Sequence, residues 1–460
     1  MIKFFRTAKD CRPLELPKSQ IKKRFINHQW QVFLGLLAGY AVFYIVRMSL
    51  SVAKKPLLDS GLFSLEELGL IGSAFFFTYA VGKFSNGMLS DYAHIGRFMS
   101  SALLLSGITC VLLGFTTHAS LFIFLWGLNG WFQSVGSVPS AVSIFQWFTP
   151  KQRGTRYAIW GGARNLGEGL TWLITTSIVS YFGFQAGFIA SGTIAVFVAL
   201  SLFYFLKDRP ATYGFPEPFE VFDEPPESSA TDDPKKTKRA QVFSLKQPAV
   251  WLIGLSCAAM TTTRYAISSW AVLFLQEAKG YSLMDAGFTM AAFPTAGFIG
   301  AILSGLISDK LFNANRNIPT LIYGLANIIG LACLFYGPDN RWLDAAALTL
   351  IGFSIGGLVV FLGGLIVCDL MPKSAAGAVK GFVGLFAYVA AGIQEVASSK
   401  LISQQTLGEI TTYDFAHVKV FWLTSSIISL LLALSIWNIR KIDSMPEEIA
   451  MPTSKGSTAS

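Results

Sequence analysis

The chain has 460 residues, 52% of them hydrophobic and only 14% charged, with a mean hydropathy of +0.51. A soluble domain carries about a quarter charged residues, so a soluble enzyme is excluded, and apolar runs far longer than short alternating strands exclude a β-barrel. The net charge of +9 sits mainly in loops and tails beside apolar segments, which points to membrane topology and not to nucleic acid.

One helix needs about 20 apolar residues to cross a bilayer. Twelve spans are predicted, near 31–51, 67–90, 98–117, 120–147, 156–181, 184–206, 248–275, 283–308, 318–337, 343–369, 376–402 and 417–438. The expected fold class is an all-α membrane protein with twelve transmembrane helices in two pseudo-symmetric six-helix halves. The basic N-terminus (Lys18, Lys22, Lys23, Arg24) is no cleavable signal, because the apolar run after it is too long and no small-residue cleavage site follows. With the N-terminus inside, alternate loops carry the cations: Lys151, Arg153 and Arg156; Lys235, Lys236, Lys238 and Arg239; Lys310 and Arg316; Arg440 and Lys441. Both termini are therefore expected in the cytoplasm.

Taken along the chain, the first span carries Tyr40, Tyr44 and Arg47 at i, i+4 and i+7, on one helix face. Arg47 lies inside the run "FYIVRMSLS", where a charge costs several kcal/mol unless it faces a cavity or a partner. The second span carries Tyr79 and Lys83 and ends in "GMLSDY", with Asp91 in the loop. Lys83 is only eight residues before Asp91 and has the alternative of snorkelling to the surface. In the fifth span Arg164 and Glu168 are spaced i, i+4, which suits either mutual neutralisation or a polar site.

Residues 207–241, rich in Pro and charge, are expected to bury no apolar face and to form a cytoplasmic linker. The organisation follows: residues 1–206 form one six-helix half, 207–247 the linker, 248–440 the second half and 441–460 a cytoplasmic tail. Beyond the linker, the seventh span holds Arg264, Tyr265 and Trp270. The eighth ends in "GLISDK" with Asp309, and the eleventh holds Lys380, Tyr388, Gln394 and Glu395. Lys380 is read as a substrate-binding candidate, although it lies near the cytoplasmic end of its span, where a boundary lysine is a nearly equal alternative. Glu395 has three possible roles: holding a proton, pairing a cation or accepting sugar hydroxyls.

The halves repeat. Arg47 precedes Asp91 by 44 residues and Arg264 precedes Asp309 by 45. The two arginines then face each other across the interface between repeats, where transporters place substrate. Five intramembrane cations (Arg47, Lys83, Arg164, Arg264, Lys380) against two carboxylates (Glu168, Glu395) leave a surplus of three. Two planar guanidiniums suit a phosphoryl group, and lysine adds a mobile point charge. Asp91 and Asp309 are read as conformational latches and not as ligands. The five cysteines and four histidines form no metal pattern, and no cofactor is expected.

The twelve spans, the long central loop and the paired "SD" motifs resemble the major facilitator superfamily. The stretches "YAVFYIVRMSLSVAKKPL", "FTYAVGKFSNGMLSD", "NGWFQSVGSVPS", "QWFTPKQRGTRYAIWGGARNLGEG", "TRYAISSW" and "AAGAVKGFVGLFAY" resemble the organophosphate:phosphate antiporters over roughly residues 25–440. The resemblance implies that Arg47 and Arg264 hold a phosphoryl group and that Lys83 assists. It also implies that Tyr40, Tyr44, Tyr79 and Tyr388 line the pocket. Inorganic phosphate and an organic phosphate would exchange by alternating access, through a monomer in the lipid bilayer of the cell inner membrane.

The chain departs from the glycerol-3-phosphate pattern at "ARNLGEG", where Arg164 replaces a histidine and Glu168 is added. It departs again at "GSVP", after which Val142 replaces an arginine. The added polar groups favour a hexose phosphate, glucose 6-phosphate, over glycerol 3-phosphate. The alternatives are a membrane sensor of external sugar phosphate, a glycerol-3-phosphate antiporter and a proton-coupled organic-anion symporter.

Overall fold

The computed structural model describes residues 3–90, 92–225, 234–313, 315–372, 375–407 and 410–437. The first half holds α1 (Lys18–Asp59), α2 (Leu65–Ser90), α3 (Ile95–Leu113), α4 (Ala119–Gln133), α5 (Val138–Trp147), α6 (Pro150–Leu170) and α7 (Thr176–Phe205). Then come the short α8 (Pro218–Val221) and α9 (Pro234–Leu245). The second half holds α10 (Pro248–Lys279), α11 (Leu283–Met290), α12 (Ala292–Leu311), α13 (Asn317–Tyr336), α14 (Arg341–Val360), α15 (Ile366–Leu370), α16 (Ala376–Leu401) and α17 (Ala416–Ser435). Between α16 and α17 lies an antiparallel hairpin, β1 (Ser403–Leu407) and β2 (Ile410–Asp414).

Nine helices among the described residues are long and apolar enough alone to cross a membrane. One of them, Pro150–Phe205, has 56 residues and would span roughly 84 Å if straight, far more than a bilayer. It breaks at Gly183, whose φ of +83° only glycine adopts freely. The chain then reverses, because Thr175 and Ser191 hydroxyls on either side of the break meet at 3.2 Å. Splitting it gives ten passes; α10 and the α4–α5 stretch, interrupted by a 3₁₀ turn at Ser134–Gly136, bring the described passes to twelve.

Small residues set the close packing within each half. A Cβ on Gly300 would meet the Phe353 carbonyl oxygen at 2.0 Å, and one on Gly352 the Phe293 carbonyl at 2.1 Å, so α12 and α14 run in backbone contact. Gly107 and Gly192 do the same for α3 and α7. Between the halves, α1 meets α10, α2 meets α16 and α6 meets α12.

These contacts are uneven along the bundle. Near the hairpin, a Cβ on Gly69, Gly72 or Gly287 would collide with the opposite half at under 3 Å. Near the linker, Gly154, Gly161, Gly305, Gly377, Gly381 and Gly384 have nothing within 4 Å. The halves are thus in close contact at the hairpin face, and on the linker side α6 still meets α12, where a Cβ on Gly162 would reach Phe298 at 2.1 Å.

The linker departs from the sequence expectation. Pro210, Thr212, Phe215 and Val221 are buried, and the Phe25 ring packs against Trp147, Phe215 and Phe222 at 5.4, 5.6 and 6.0 Å. Prolines stop long regular helices here, but the aromatics between them still find an apolar surface on α1 and α5. Lys18 pairs with Asp223, and the Asp208 carboxylate accepts from the Ile95 backbone N–H at 3.1 Å, so residues 208–223 lie against the first half.

Candidate functional site

Arg47 lies mid-way along α1, 5% exposed. Its Nε donates to Gln133 Oε1 at 3.1 Å and its Nη1 to the Tyr44 hydroxyl at 3.2 Å. The guanidinium carbon stands 4.6, 5.1 and 4.4 Å from the ring centres of Tyr44, Phe75 and Tyr79. Cation–π contacts and neutral acceptors solvate this charge without cancelling it. Gln133 is held in turn by Asn129, and Asn129 by Ser106, at 3.2 and 2.6 Å. This polar support was missed in the sequence reading; its signal was a glutamine and an asparagine inside the otherwise apolar fourth span.

Arg264, half-buried on α10, lies 5.1 Å from the Tyr265 ring. Tyr265 packs on Phe76 of α2 at 4.5 Å, and Tyr79 of α2 on Tyr388 of α16 at 4.6 Å. Tyr44, Tyr265 and Tyr388 stand within electrostatic reach of both guanidiniums. The Lys83 ammonium lies over the Tyr388 ring at 4.8 Å, turned into the bundle. Tyr40 stacks on Trp160 at 4.5 Å and meets Tyr44 edge-on at 5.5 Å. Lys380 is exposed, 5.8 Å from the Tyr157 ring of the opposite half.

Arg164 and Arg264 line one pocket with Asn165 and Glu168, walled by Phe293 and Pro294. Glu168 is 1% exposed and accepts from Ser268 Oγ at 2.9 Å, across the interface between halves. Among the described residues it forms no ion pair with Arg164, whose buried Nε has no hydrogen-bond partner.

Glu395 takes the second of its three anticipated roles and pairs a cation. The Lys54 ammonium, fully buried, donates to Glu395 Oε2 at 2.9 Å and to Ser269 Oγ at 2.7 Å, and sits 3.3 Å from the Trp270 ring centre. Lys54 was missed because the first span was predicted to end at residue 51, whereas α1 runs on to Asp59. The next residue, Lys55, pairs with Glu277 of α10, so two adjacent ion pairs join the halves near the hairpin face. With Glu395 matched by Lys54, one carboxylate, Glu168, remains against five cations, a surplus of four. No carboxylate among the described residues lies within ion-pair distance of Arg47, Lys83, Arg164, Arg264 or Lys380.

Asp309 pairs with Arg316 at 2.5 Å, and Arg316 Nε donates to Asp369 at 3.0 Å, all within the second half. Asp91 lies outside the described residues.

The family model described as Major Facilitator Superfamily matches residues 36–394. The chain belongs to the major facilitator superfamily. This superfamily member is 30% identical to "Membrane sensor protein UhpC" of Salmonella typhimurium, over 87% of this chain and 91% of that one. It is 28% identical to "Probable hexose phosphate transport protein" of Chlamydia pneumoniae, over 95% and 97% of the two chains. It is 31% identical to "Glycerol-3-phosphate transporter" of Bacillus subtilis, over 85% and 89%. Its fold matches an inward-facing, unoccupied bacterial homologue of the human lysosomal transporter Spinster, with a TM-score of 0.70 at 15% identity over 89% and 96% of the two chains.

Within the superfamily these relatives place the chain among the organophosphate:phosphate antiporters. It is a multi-pass membrane protein of a bacterial transporter family and not an enzyme.

Proposed function

We propose that this chain exchanges inorganic phosphate for a sugar phosphate, glucose 6-phosphate, by alternating access across the cell inner membrane, as a monomer with both termini in the cytoplasm. The observation that carries the reading is the pair Arg47 and Arg264: one from each half, both around Tyr44, Tyr265 and Tyr388, and neither within ion-pair distance of a carboxylate among the described residues. A phosphoryl group supplies the missing counter-charge and accepts paired N–H donors from each planar fork. Lys83, Arg164 and Lys380 add positive charge along the route from the linker face, Tyr40, Tyr79 and Tyr388 line it, and Asp91 and Asp309 act as loop latches. The units 1–206 and 248–440 rock about the site, joined by residues 207–247, with 441–460 as the tail. An empty cavity leaves a surplus of positive charge that Glu168 only partly offsets, which disfavours reorientation without cargo and favours strict exchange.

Purified protein in liposomes preloaded with phosphate is expected to take up labelled glucose 6-phosphate, whereas unloaded liposomes are not. Equal uptake in both would sink the exchange mechanism. A sensor of external sugar phosphate is the second reading, favoured by the relative named as a membrane sensor. It requires binding without counterflow in the same liposomes.

A further inference from the structure

The phosphoryl clamp leaves unexplained the carboxylate beside it. Glu168 is almost fully buried and lines the same cavity as Arg264. A carboxylate next to an anion site weakens that site by charge repulsion, and inorganic phosphate offsets this only through the one or two P–O–H donors it carries. Its Oε1 is fixed by the Ser268 hydroxyl, and the other oxygen is free to accept. An ionised carboxylate is acceptor-only, so the groups it suits are donors, and an organic phosphate carries them as hydroxyls.

The rest of the cavity agrees with this. Asn165, 9% exposed, brings one amide acceptor and two donors, and Arg164 brings a buried, unpartnered Nε donor. Phe293 and Pro294 offer an apolar wall of the kind a sugar ring's C–H face packs against. Beside that wall, Gly297, Gly352 and Gly356 also line the cavity, where α12 and α14 run in backbone contact. Mixed donors and acceptors against an apolar wall are the chemistry of polyol recognition, and inorganic phosphate has no C–H face to set against such a wall.

We infer that Glu168, Asn165 and Arg164 form a hydroxyl-binding subsite beside the arginine clamp, with Glu168 as the residue that selects a polyhydroxylated organic phosphate over inorganic phosphate. This deepens the proposed function and rests on its assignment of the phosphoryl group to Arg47 and Arg264. Ser268 is a positioning residue: its hydroxyl on α10 holds a carboxylate of α6, so the subsite is assembled only when the two halves meet.

The test is binding by the purified full chain, read from tryptophan fluorescence, with glucose 6-phosphate and inorganic phosphate titrated separately. The readout is the ratio of the two affinities. Glu168→Gln is expected to lower the preference for glucose 6-phosphate about tenfold, the loss of one charge-assisted hydrogen bond. Asn165→Ala is expected to shift the same ratio by a few fold and serves if the first variant does not fold. An unchanged ratio in both variants overturns the subsite, as does a wild-type chain that binds phosphate but not glucose 6-phosphate. Because binding is measured without transport, a protein that binds with this selectivity yet shows no counterflow refutes the exchange reading and leaves the subsite standing.

Discussion

A guanidinium 5% exposed in the centre of a helix has given up its water, and what replaces the water decides its use. Around Arg47 the replacements are an amide oxygen, a phenol and aromatic rings. They orient the group and leave its charge available, the opposite of Lys54, whose charge is consumed by Glu395. Arg47→Lys keeps the charge but loses the fork and its hydrogen bonds to Gln133 and Tyr44. Phosphate counterflow is expected to fall at least tenfold in Arg47→Lys, and further in the double variant with Arg264→Lys. Wild-type rates in the double variant would remove the clamp from the mechanism.

The arginines themselves were legible in the sequence, because an ion in an apolar run is conspicuous and the repeat sets its depth. Lys54 was not, because its partner lies 341 residues away and nothing local distinguishes a buried lysine from a boundary one.

At the scale of helices, the packing is set by glycines whose missing side chains let backbones touch. Gly300 sits against the Phe353 carbonyl, whereas Gly305, five residues along α12, has open space around it. Gly300→Ala must push α12 from α14 and is expected to lower stability by about 1–3 kcal/mol. Gly305→Ala is expected to be neutral or slightly stabilising, since alanine is the better helix former. Thermal unfolding in detergent compares the two, and equal midpoints would mean that the helices reseat without strain. Hydropathy located the passes because each must be about one bilayer thick. It did not anticipate the packed linker or the β1–β2 hairpin, since both draw their order from partners outside their own segments.

At the scale of the whole molecule, two ion pairs, Lys54–Glu395 and Lys55–Glu277, fasten the halves together at the hairpin face. Opening toward the hairpin face has to break the buried one. Glu395→Gln leaves the Lys54 ammonium uncompensated, a change that costs about 3–5 kcal/mol in a buried pair, and so favours the arrangement in which water reaches it. A cysteine at Ser269, which touches Lys54, is expected to react several-fold faster with an impermeant maleimide from the hairpin side in Glu395→Gln. The apolar double variant Lys54→Met with Glu395→Leu is expected to return to the slow rate. No change in Glu395→Gln would show that this pair does not hold the face shut.

The sequence by itself determined that the chain crosses a membrane many times in two related halves, and that unmatched positive charge stands at equivalent depths in each. Both follow from local rules, the apolar length a bilayer demands and the expense of a charge inside it. Only the tertiary structure decided which ions are spent on each other and which are left without an ion-pair partner among the described residues. Glu395 went to Lys54, whereas Glu168 accepts only the neutral Ser268 hydroxyl and Arg47 and Arg264 form no ion pair among the described residues. Ion pairing depends on distances between helices that are far apart in the chain, and no local pattern encodes those distances.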